Sequence, residues 1–295
     1  MLPLLDRFYQ ALPINPNNMN HLEQAPLGKN SDNPNKYSPE VLFPISRIPN
    51  RLSLGIEPNA QPFFGVDIWN AYELSWLNSK GKPQIGIATF IVPANSPNII
   101  ESKSWKLYLN SLNFHTFANS DEVKKTLEKD LSEVAGARVG VKLLDPQETK
   151  NFRFQDFSGT LLDRLDIEVD TQTKPDDVSL SADEKSSPCE EVLVSHLLKS
   201  NCPVTGQPDW ASIAISYVGQ AINQEQLLRY LIAFRHVQEF HEHCVEKIFL
   251  DIHRQCRPHK LSVYARYTRR GGLDINPFRT NFNTAWPDNL RHARQ

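Results

Sequence analysis

The feature that most constrains the fold of this chain is a weak internal repeat. Residues 87–92 (IATFIV) resemble residues 213–218 (IAISYV) at an offset of 126, and residues 108–109 resemble residues 230–231 at an offset of 122. Offsets that agree to within four residues are typical of a duplicated supersecondary unit. Because each β-rich run precedes an apolar helical pattern, the sequence predicts two strand–strand–helix–helix–strand–strand modules in an α+β fold.

Alternation of apolar and polar residues predicts the strands, and apolar spacing of three to four residues predicts the helices. In the first half, we expect strands at 67–77, 85–92, 138–144 and 160–169 and helices at about 105–112 and 121–134. In the second half, we expect strands at 192–198, 211–218, 261–268 and after 276, with one long helix from Gln224 to about Cys256. Ser120 or Asp121 is suited to cap the helix at 121–134.

An acidic segment separates the two halves. Residues 163–191 contain ten acids and three bases, and residues 171–188 include few apolar side chains and two prolines. We interpret 171–188 as a linker between a first module, 1–170, and a second module, 189–295; a solvated surface loop is the alternative. The first 62 residues are rich in Pro and Asn and predict irregular chain.

Composition excludes several classes of protein. The 295 residues carry a formal net charge of −2, which argues against a protein that holds nucleic acid by bulk charge. The longest apolar run, at about 85–92, is too short for a membrane helix, and the first residues lack the pattern of a secretory signal. Four sparse cysteines fit a reduced, cytoplasmic protein. The sequence contains no Gly-x-Gly-x-x-Gly, phosphate-loop or paired Cys-x-x-Cys motif.

Cys202 is the candidate nucleophile. It lies in a predicted turn, Ser-Asn-Cys-Pro, where a substrate can reach it, and Asp209 follows seven residues later. A thiolate is a strong nucleophile, and a nearby acid can protonate what its attack generates. The alternative for a turn cysteine is a packing role. Cys244 and Cys256 fall within the predicted long helix, where core packing is the better interpretation.

A cluster of potential ligands occupies residues 240–244, Phe-His-Glu-His-Cys. Successive helix residues point about 100° apart, so only pairs such as His241 and Cys244 can meet at one metal ion. The alternative for His241 is a buried, hydrogen-bonded histidine. Glu242 is expensive to bury without a partner, which favours a role facing a ligand.

Two segments could bind phosphate. Residues 101–106, Glu-Ser-Lys-Ser-Trp-Lys, stand at a strand-to-helix junction, where free backbone N–H groups and Lys103 and Lys106 suit an anion. Residues 266–272, Arg-Tyr-Thr-Arg-Arg-Gly-Gly, combine cations with glycines that permit close backbone approach. The alternatives are an ordinary capped helix and a basic hairpin turn.

Together, four stretches resemble the NADPH-dependent nitrile reductase family of queuosine biosynthesis, in its longer, bimodular form. They are ESKSWKLY at 101–108, SNCP at 200–203 with QPD at 207–209, FHE at 240–242, and YARYTRRGGLDINP at 264–277. They occur in the family's order across most of the span from Glu101 to Pro277. The resemblance implies tandem tunnelling-fold modules, each ββααββ with an antiparallel sheet and helices on one face.

The resemblance also implies a reaction. Cys202 would add to the nitrile carbon of 7-cyano-7-deazaguanine to give a covalent thioimide, and Asp209 would protonate the nitrogen. Two NADPH molecules per turnover would complete the four-electron reduction to 7-aminomethyl-7-deazaguanine, without a metal. His241 would line the pocket and assist proton transfer.

Binding residues follow from the same resemblance. Substrate contacts are assigned to Ile100, Glu101, Ser102, His241 and Glu242, because a carboxylate accepts hydrogen bonds from the N–H donors of a guanine-like base. NADPH contacts are assigned to Ser102, Lys103, Arg269, Arg270 and Gly271. We expect a homodimer or larger homo-oligomer that binds neither membrane nor nucleic acid directly.

Two other functions are compatible with these residues. One is a zinc-dependent purine or pterin cyclohydrolase of the same fold, in which Cys and His would bind the metal. The other is a non-catalytic module that binds a nucleobase or tRNA.

Overall fold

The structure is a computed structural model, and it describes residues 33–58, 60–145, 147–148 and 153–295. The chain divides into two compact units, each built from segments that are not continuous in sequence. Unit 1 comprises the described parts of Met1–Leu52 and Asp67–Phe152, together with Arg270–Leu273. Unit 2 comprises Ser53–Val66, Arg153–Arg269 and Asp274–Gln295, less the one residue outside the description. The Pro- and Asn-rich residues before 33 lie outside the described residues.

Unit 1 has a three-stranded sheet and two main helices. Its elements are β1 (Pro44–Ser46), α1 (Ile48–Ser53, whose last residue falls in unit 2), β2 (Phe64–Leu77, in unit 1 from Asp67), β3 (Pro83–Pro93), β4 (Asn98–Ile100), α2 (Ser102–Ser111), α3 (Ser120–Ala135) and β5 (Gly140–Leu144). The sheet order is β5-β3-β2, with β3 and β5 antiparallel, while β1 and β4 form a separate antiparallel pair.

Local chemistry explains these elements. Alternate residues of β3, namely Ala88, Phe90 and Val92, are buried, as expected of a strand with one face on a core. Trp105 of α2 packs on Trp69 with ring centroids 4.2 Å apart. This contact packs the first turn of α2 against β2 of the sheet.

From Cys189 onward, unit 2 shows the predicted order of two strands, two helices and two strands. Its elements are β6 (Thr160–Leu161), β7 (Cys189–Asn201), β8 (Pro208–Gly219), α4 (Gln224–Ala233), α5 (His241–Cys256), β9 (Lys260–Tyr267) and β10 (Leu273–Thr280, whose first residue falls in unit 1). The sheet order is β10-β9-β8-β7-β6. All neighbours in it are antiparallel except the short β6, which is parallel to β7.

The core of unit 2 combines an apolar cluster with a buried ion pair. Helices α4 and α5 pack Leu231, Phe234 and Ile248 onto the sheet. Arg279 of β10 lies at 2.8 Å from Glu246 of α5, and both side chains are 0% exposed. Burying either charge alone would be strongly unfavourable, so this pair fixes β10 against α5.

The structure confirms most predicted elements and corrects three. The single helix from Gln224 to Cys256 is wrong: α4 ends at Ala233, a 3-10 turn follows, and α5 begins at His241. The strand at 160–169 is reduced to two residues followed by a 3-10 turn. Helix α3 is capped by Asn119, whose side chain accepts from the Glu122 amide, rather than by Ser120 or Asp121.

Residues 171–188 lie within unit 2. Their backbone bonds to the loop after β8, because Asp183 N donates to Ala221 O and Asn223 N donates to Ser181 O. Leu180 is buried in the core of unit 2. The division of the chain at this segment stays a prediction.

Candidate active site

The segment between the two helices of unit 2 is held by the end of β7. Asn201 N donates to Val237 O at 2.8 Å, and Glu239 N donates to Asn201 O at 3.0 Å. The Asn201 side-chain amide also donates to Arg235 O at 2.9 Å. These bonds interrupt the helix and set the residue before Cys202 beside the start of α5.

Cys202 begins a tight turn between β7 and β8. Its amide donates to Gln207 O at 2.8 Å, and Gly206 N donates to its carbonyl at 3.0 Å. The sequence predicts an accessible turn cysteine, but Cys202 is 4% exposed. The burial of Cys202 has a local cause, since the two bonds close the turn at this residue. A thiol in this setting is shielded from bulk water.

Strand register brings Asp209 close to this turn. Asp209 lies opposite Ser200 in the β7–β8 ladder, two residues before Cys202. It is 7% exposed, and its Oδ1 lies 3.8 Å from Nε2 of His241. The structure therefore brings together the predicted acid and the predicted imidazole.

Tyr267 fixes the plane of the His241 ring. The two ring centroids are 4.0 Å apart and the planes are nearly perpendicular, at 83°. This edge-to-face geometry is favoured between aromatic rings. Tyr267 was not predicted as a site residue. A signal was present in the sequence, because Tyr267 alternates with the apolar Val263 and Ala265 on the face of β9 that packs in the core with α5.

The first turn of α5 also carries Glu242, which is 2% exposed. A carboxylate near a helix N-terminus is stabilised by the helix dipole. Cys244, two residues on, is buried in the core, and burial raises the pKa of its thiol to about 12. Its burial in the apolar cluster confirms the predicted packing role.

Glu101 of unit 1 caps helix α2. Its carboxylate accepts from Lys103 N at 2.6 Å and from Ser104 N at 2.7 Å. The sequence predicts free amides at this helix start, but these two are paired with Glu101. Burial raises the pKa of Glu101, and the two backbone bonds oppose that rise. Ile100, which precedes it, is also buried.

A glycine turn lies at Arg270–Leu273 in unit 1, directly after Arg269. Arg270 N donates to Leu273 O at 2.8 Å, and Gly271 adopts φ +60°. A Cβ at Gly271 would lie 3.0 Å from Cδ of Lys106. The side chain of Lys106 therefore packs against the exposed Gly271, next to Arg270, and two cations so placed suit a phosphate.

The part of the chain that the structure describes contains no cluster of metal-binding side chains. No group there of three or more His, Cys, Asp or Glu residues is placed to hold an ion. Within the same residues, no helix is long and apolar enough to cross a membrane.

Fold and site together define a class of protein. It is a mixed α+β protein with antiparallel-rich sheets, and its second unit holds a shielded thiol, a buried carboxylate and an oriented imidazole. These groups are suited to covalent chemistry on an electrophilic carbon.

Comparison with known proteins narrows that class to one family. The family model described as nitrile reductase, 7-cyano-7-deazaguanine-reductase N-term, matches residues 33–143, and the model described as QueF-like protein matches residues 208–285. The chain is 60% identical to the NADPH-dependent 7-cyano-7-deazaguanine reductase of Ralstonia nicotianae over 94% of its own length and 100% of that protein. It is 61% identical to the enzyme of that name from Cupriavidus necator, over 92% and 99% of the two chains. The chain belongs to the 7-cyano-7-deazaguanine reductase family.

A solved structure, the archaeosine synthase QueF-Like in the apo form, is also similar, at 13% identity and a TM-score of 0.30. It covers 35% of this chain and 100% of that chain. A similarity of this size carries no conclusion about this protein.

Proposed function

We propose that this protein reduces the nitrile of 7-cyano-7-deazaguanine to the primary amine with NADPH, a step of tRNA queuosine biosynthesis. One observation carries the proposal: relatives of that name align with 92% or more of the chain at 60% identity or higher. The pairing of Asp209 with His241 beside the Cys202 turn supports it independently.

Cys202 would hold the substrate covalently. The Cys202 thiolate forms a bond to the nitrile carbon, one π bond of the triple bond breaks, and the electron pair moves to nitrogen. Asp209 would donate the proton that the nitrogen takes up, which gives a neutral thioimide. Shielding of Cys202 keeps water away from this adduct, and water would otherwise hydrolyse it.

NADPH, when bound, supplies hydride, and two equivalents provide the four electrons that the conversion of a nitrile to an amine needs. The turn at Arg270–Leu273 suits its phosphates. Lys106 packs directly on Gly271, where a Cβ would lie 3.0 Å from its Cδ, so its positive charge adds to that of Arg270. We assign Arg269, Arg270, Gly271, Ser102 and Lys103 to its binding. After the first reduction, the carbon–sulfur bond breaks and the electron pair returns to Cys202. His241 would pass a proton to the nitrogen of the resulting imine.

Carboxylates would hold the base. Glu101 and Glu242 are buried and ionisable, and a carboxylate oxygen can accept more than one hydrogen bond. The two amide bonds that Glu101 accepts leave lone pairs for the N–H donors of a guanine-like ring. Ile100, Ser102 and His241 complete the proposed substrate contacts.

The proposal includes the division of the chain into modules. The order β7-β8-α4-α5-β9-β10 supports a tunnelling-fold module over 189–295. We propose a second module over 1–170, with 171–188 as the linker between the two. All four cysteines are free, which supports a reduced, cytoplasmic setting. We also propose a homodimer or larger homo-oligomer and a reaction without a metal.

Turnover tests the proposal directly. Purified protein is mixed with 7-cyano-7-deazaguanine and NADPH, and the loss of nicotinamide absorbance is followed together with the amine product by mass spectrometry. We expect two NADPH oxidised per amine formed. Binding of the base without any oxidation would contradict the proposal and favour a binding module.

A further inference from the structure

Two arginines lie beside one indole in unit 2, and a lysine stands opposite it on the neighbouring strand. Lys199 of β7 lies directly opposite Trp210 of β8, so both side chains leave the same face of the sheet. The guanidinium carbons of Arg235 and Arg294 lie 5.3 Å and 5.7 Å from the Trp210 ring centroid. The four residues come from β7, β8, the 3-10 turn after α4 and the segment after β10. We call them the Trp210 cluster.

The cations of this cluster have no carboxylate in direct contact among the described residues. Among the described residues, none of the three forms an ion pair with a carboxylate. Burial and the nearby charge of Arg235 lower the pKa of Lys199, while the field of Asp209 opposes that shift. Like charges held close together repel one another, so binding an anion would stabilise the cluster.

Hydrogen-bond donors remain open in the same place. Lys199 uses two of its three N–H groups, on Asn201 Oδ1 at 2.6 Å and on Arg235 O at 3.0 Å. Arg294 donates to His196 O at 2.8 Å. Arg235 donates no side-chain hydrogen bond to any described residue, so its five N–H groups are available.

We propose that the Trp210 cluster binds a single phosphate group. Arginine forks match phosphate oxygens, and a lysine adds a compact charge. Both guanidinium groups lie close to the Trp210 ring. The ring therefore positions the two arginines, and little room is left for a nucleic-acid base to stack on it. A cluster of three cations in a chain of net charge −2 suits one phosphate rather than an RNA backbone.

The site goes beyond the proposed reduction, because none of its four residues takes part in that chemistry. The phosphate has two sources that the cluster would recognise alike: a phosphate of the nicotinamide cofactor, or free inorganic phosphate. Binding is measured without 7-cyano-7-deazaguanine, so failure of the site and failure of the proposed reaction are separate results.

The experiment is calorimetric titration of the full chain with inorganic phosphate and with NADP⁺, at constant ionic strength. The test variant is Lys199→Gln with Arg235→Gln, and Lys199→Arg with Arg235→Lys retains the charges as a folding and rescue control. Arg229→Gln is the matched control, because Arg229 is an exposed cation of α4 that pairs with Glu225. We expect saturable phosphate binding that weakens by about tenfold or more in the test variant only.

The titrations also separate the sources. If NADP⁺ displaces phosphate and loses affinity by the same factor, the cofactor supplies the group; if NADP⁺ binding is unchanged while phosphate binding falls, free phosphate does. Absence of saturable phosphate binding in the wild type would overturn the proposal. Equal weakening in Arg229→Gln would do the same, as would tight binding of an RNA oligonucleotide that the test variant loses.

Discussion

Nε2 of His241 lies 3.8 Å from Oδ1 of Asp209, with both side chains largely buried and the imidazole packed edge-to-face on Tyr267. The separation of these two atoms is longer than a hydrogen bond. At this distance the carboxylate and the imidazole can both face one bound molecule, and each is a type of group that transfers protons. This relationship between a carboxylate and an imidazole is the structural basis for two proton donors in one site.

Asp209 provides the first prediction. Asp209→Asn keeps the shape of the side chain but removes its proton, so we expect turnover to fall by about 100-fold or more. Stopped-flow measurement of thioimide formation and of NADPH oxidation checks this. Asp176→Asn, at an exposed carboxylate that pairs with Lys247, is the control and should keep wild-type rates. Wild-type rates in Asp209→Asn would remove Asp209 from the mechanism.

Gly271 provides the second prediction. Gly271→Ala adds a Cβ 3.0 Å from Cδ of Lys106 at a backbone φ of +60°, so we expect the KM for NADPH to rise by about tenfold. Gly81→Ala is matched to it, because Gly81 has φ +74° but open space around a Cβ. Both variants should lose about 1 kcal/mol of unfolding free energy. An equal KM change in both would show that the turn has no specific role in cofactor binding.

The buried ion pair provides the third prediction. Glu246→Gln leaves the charge of Arg279 uncompensated in the core, so we expect a loss of about 3–5 kcal/mol in unfolding free energy. Urea denaturation followed by circular dichroism measures it. The double variant Glu246→Leu with Arg279→Met should recover most of the loss, because it removes both charges together. A double variant less stable than Glu246→Gln would contradict this explanation.

His292 provides a prediction on pH. Burial, and then the charge of Arg266, lower its pKa from 6.5 to about 4. The unfolded chain therefore takes up this proton first as the pH falls, and the folded state loses stability between pH 6.5 and about 4. Relative to His292→Gln, the wild type should lose up to about 3 kcal/mol across that range. Parallel stability curves for the two proteins would refute the assignment.

Local patterns predicted the strands and most helices, because the alternation and spacing of apolar residues act over a few positions. The break before His241 was not predictable in this way. Residues 221–257 contain neither Pro nor Gly, and the interruption comes from the bonds that Asn201 makes to Val237 and Glu239. Only tertiary pairing between distant segments creates that break, and it sets the position of His241.

In the candidate site too, some features were predictable from the sequence and others only from the fold. Cys202, Asp209 and His241 were found from residue type and from the family resemblance. The burial of Cys202 and the capping role of Glu101 were not, since they depend on which backbone groups the fold turns toward each side chain. The Trp210 cluster also needed the fold, because its residues are drawn from four separate segments.

Cys202→Ala should abolish turnover, whereas Cys244→Ala should lower the unfolding free energy by about 1–2 kcal/mol and leave the chemistry intact. NADPH assays and thermal denaturation of the two variants separate these effects. Loss of turnover in a stably folded Cys244→Ala would contradict the assignment of Cys244 to packing.

Intact-protein mass spectrometry after incubation with 7-cyano-7-deazaguanine, without NADPH, tests the central claim most directly. We predict that the wild-type protein and Cys244→Ala gain the mass of one substrate molecule, and that Cys202→Ala gains none. An adduct of that mass on Cys202→Ala, or none on an active wild-type protein, would contradict covalent attachment at Cys202.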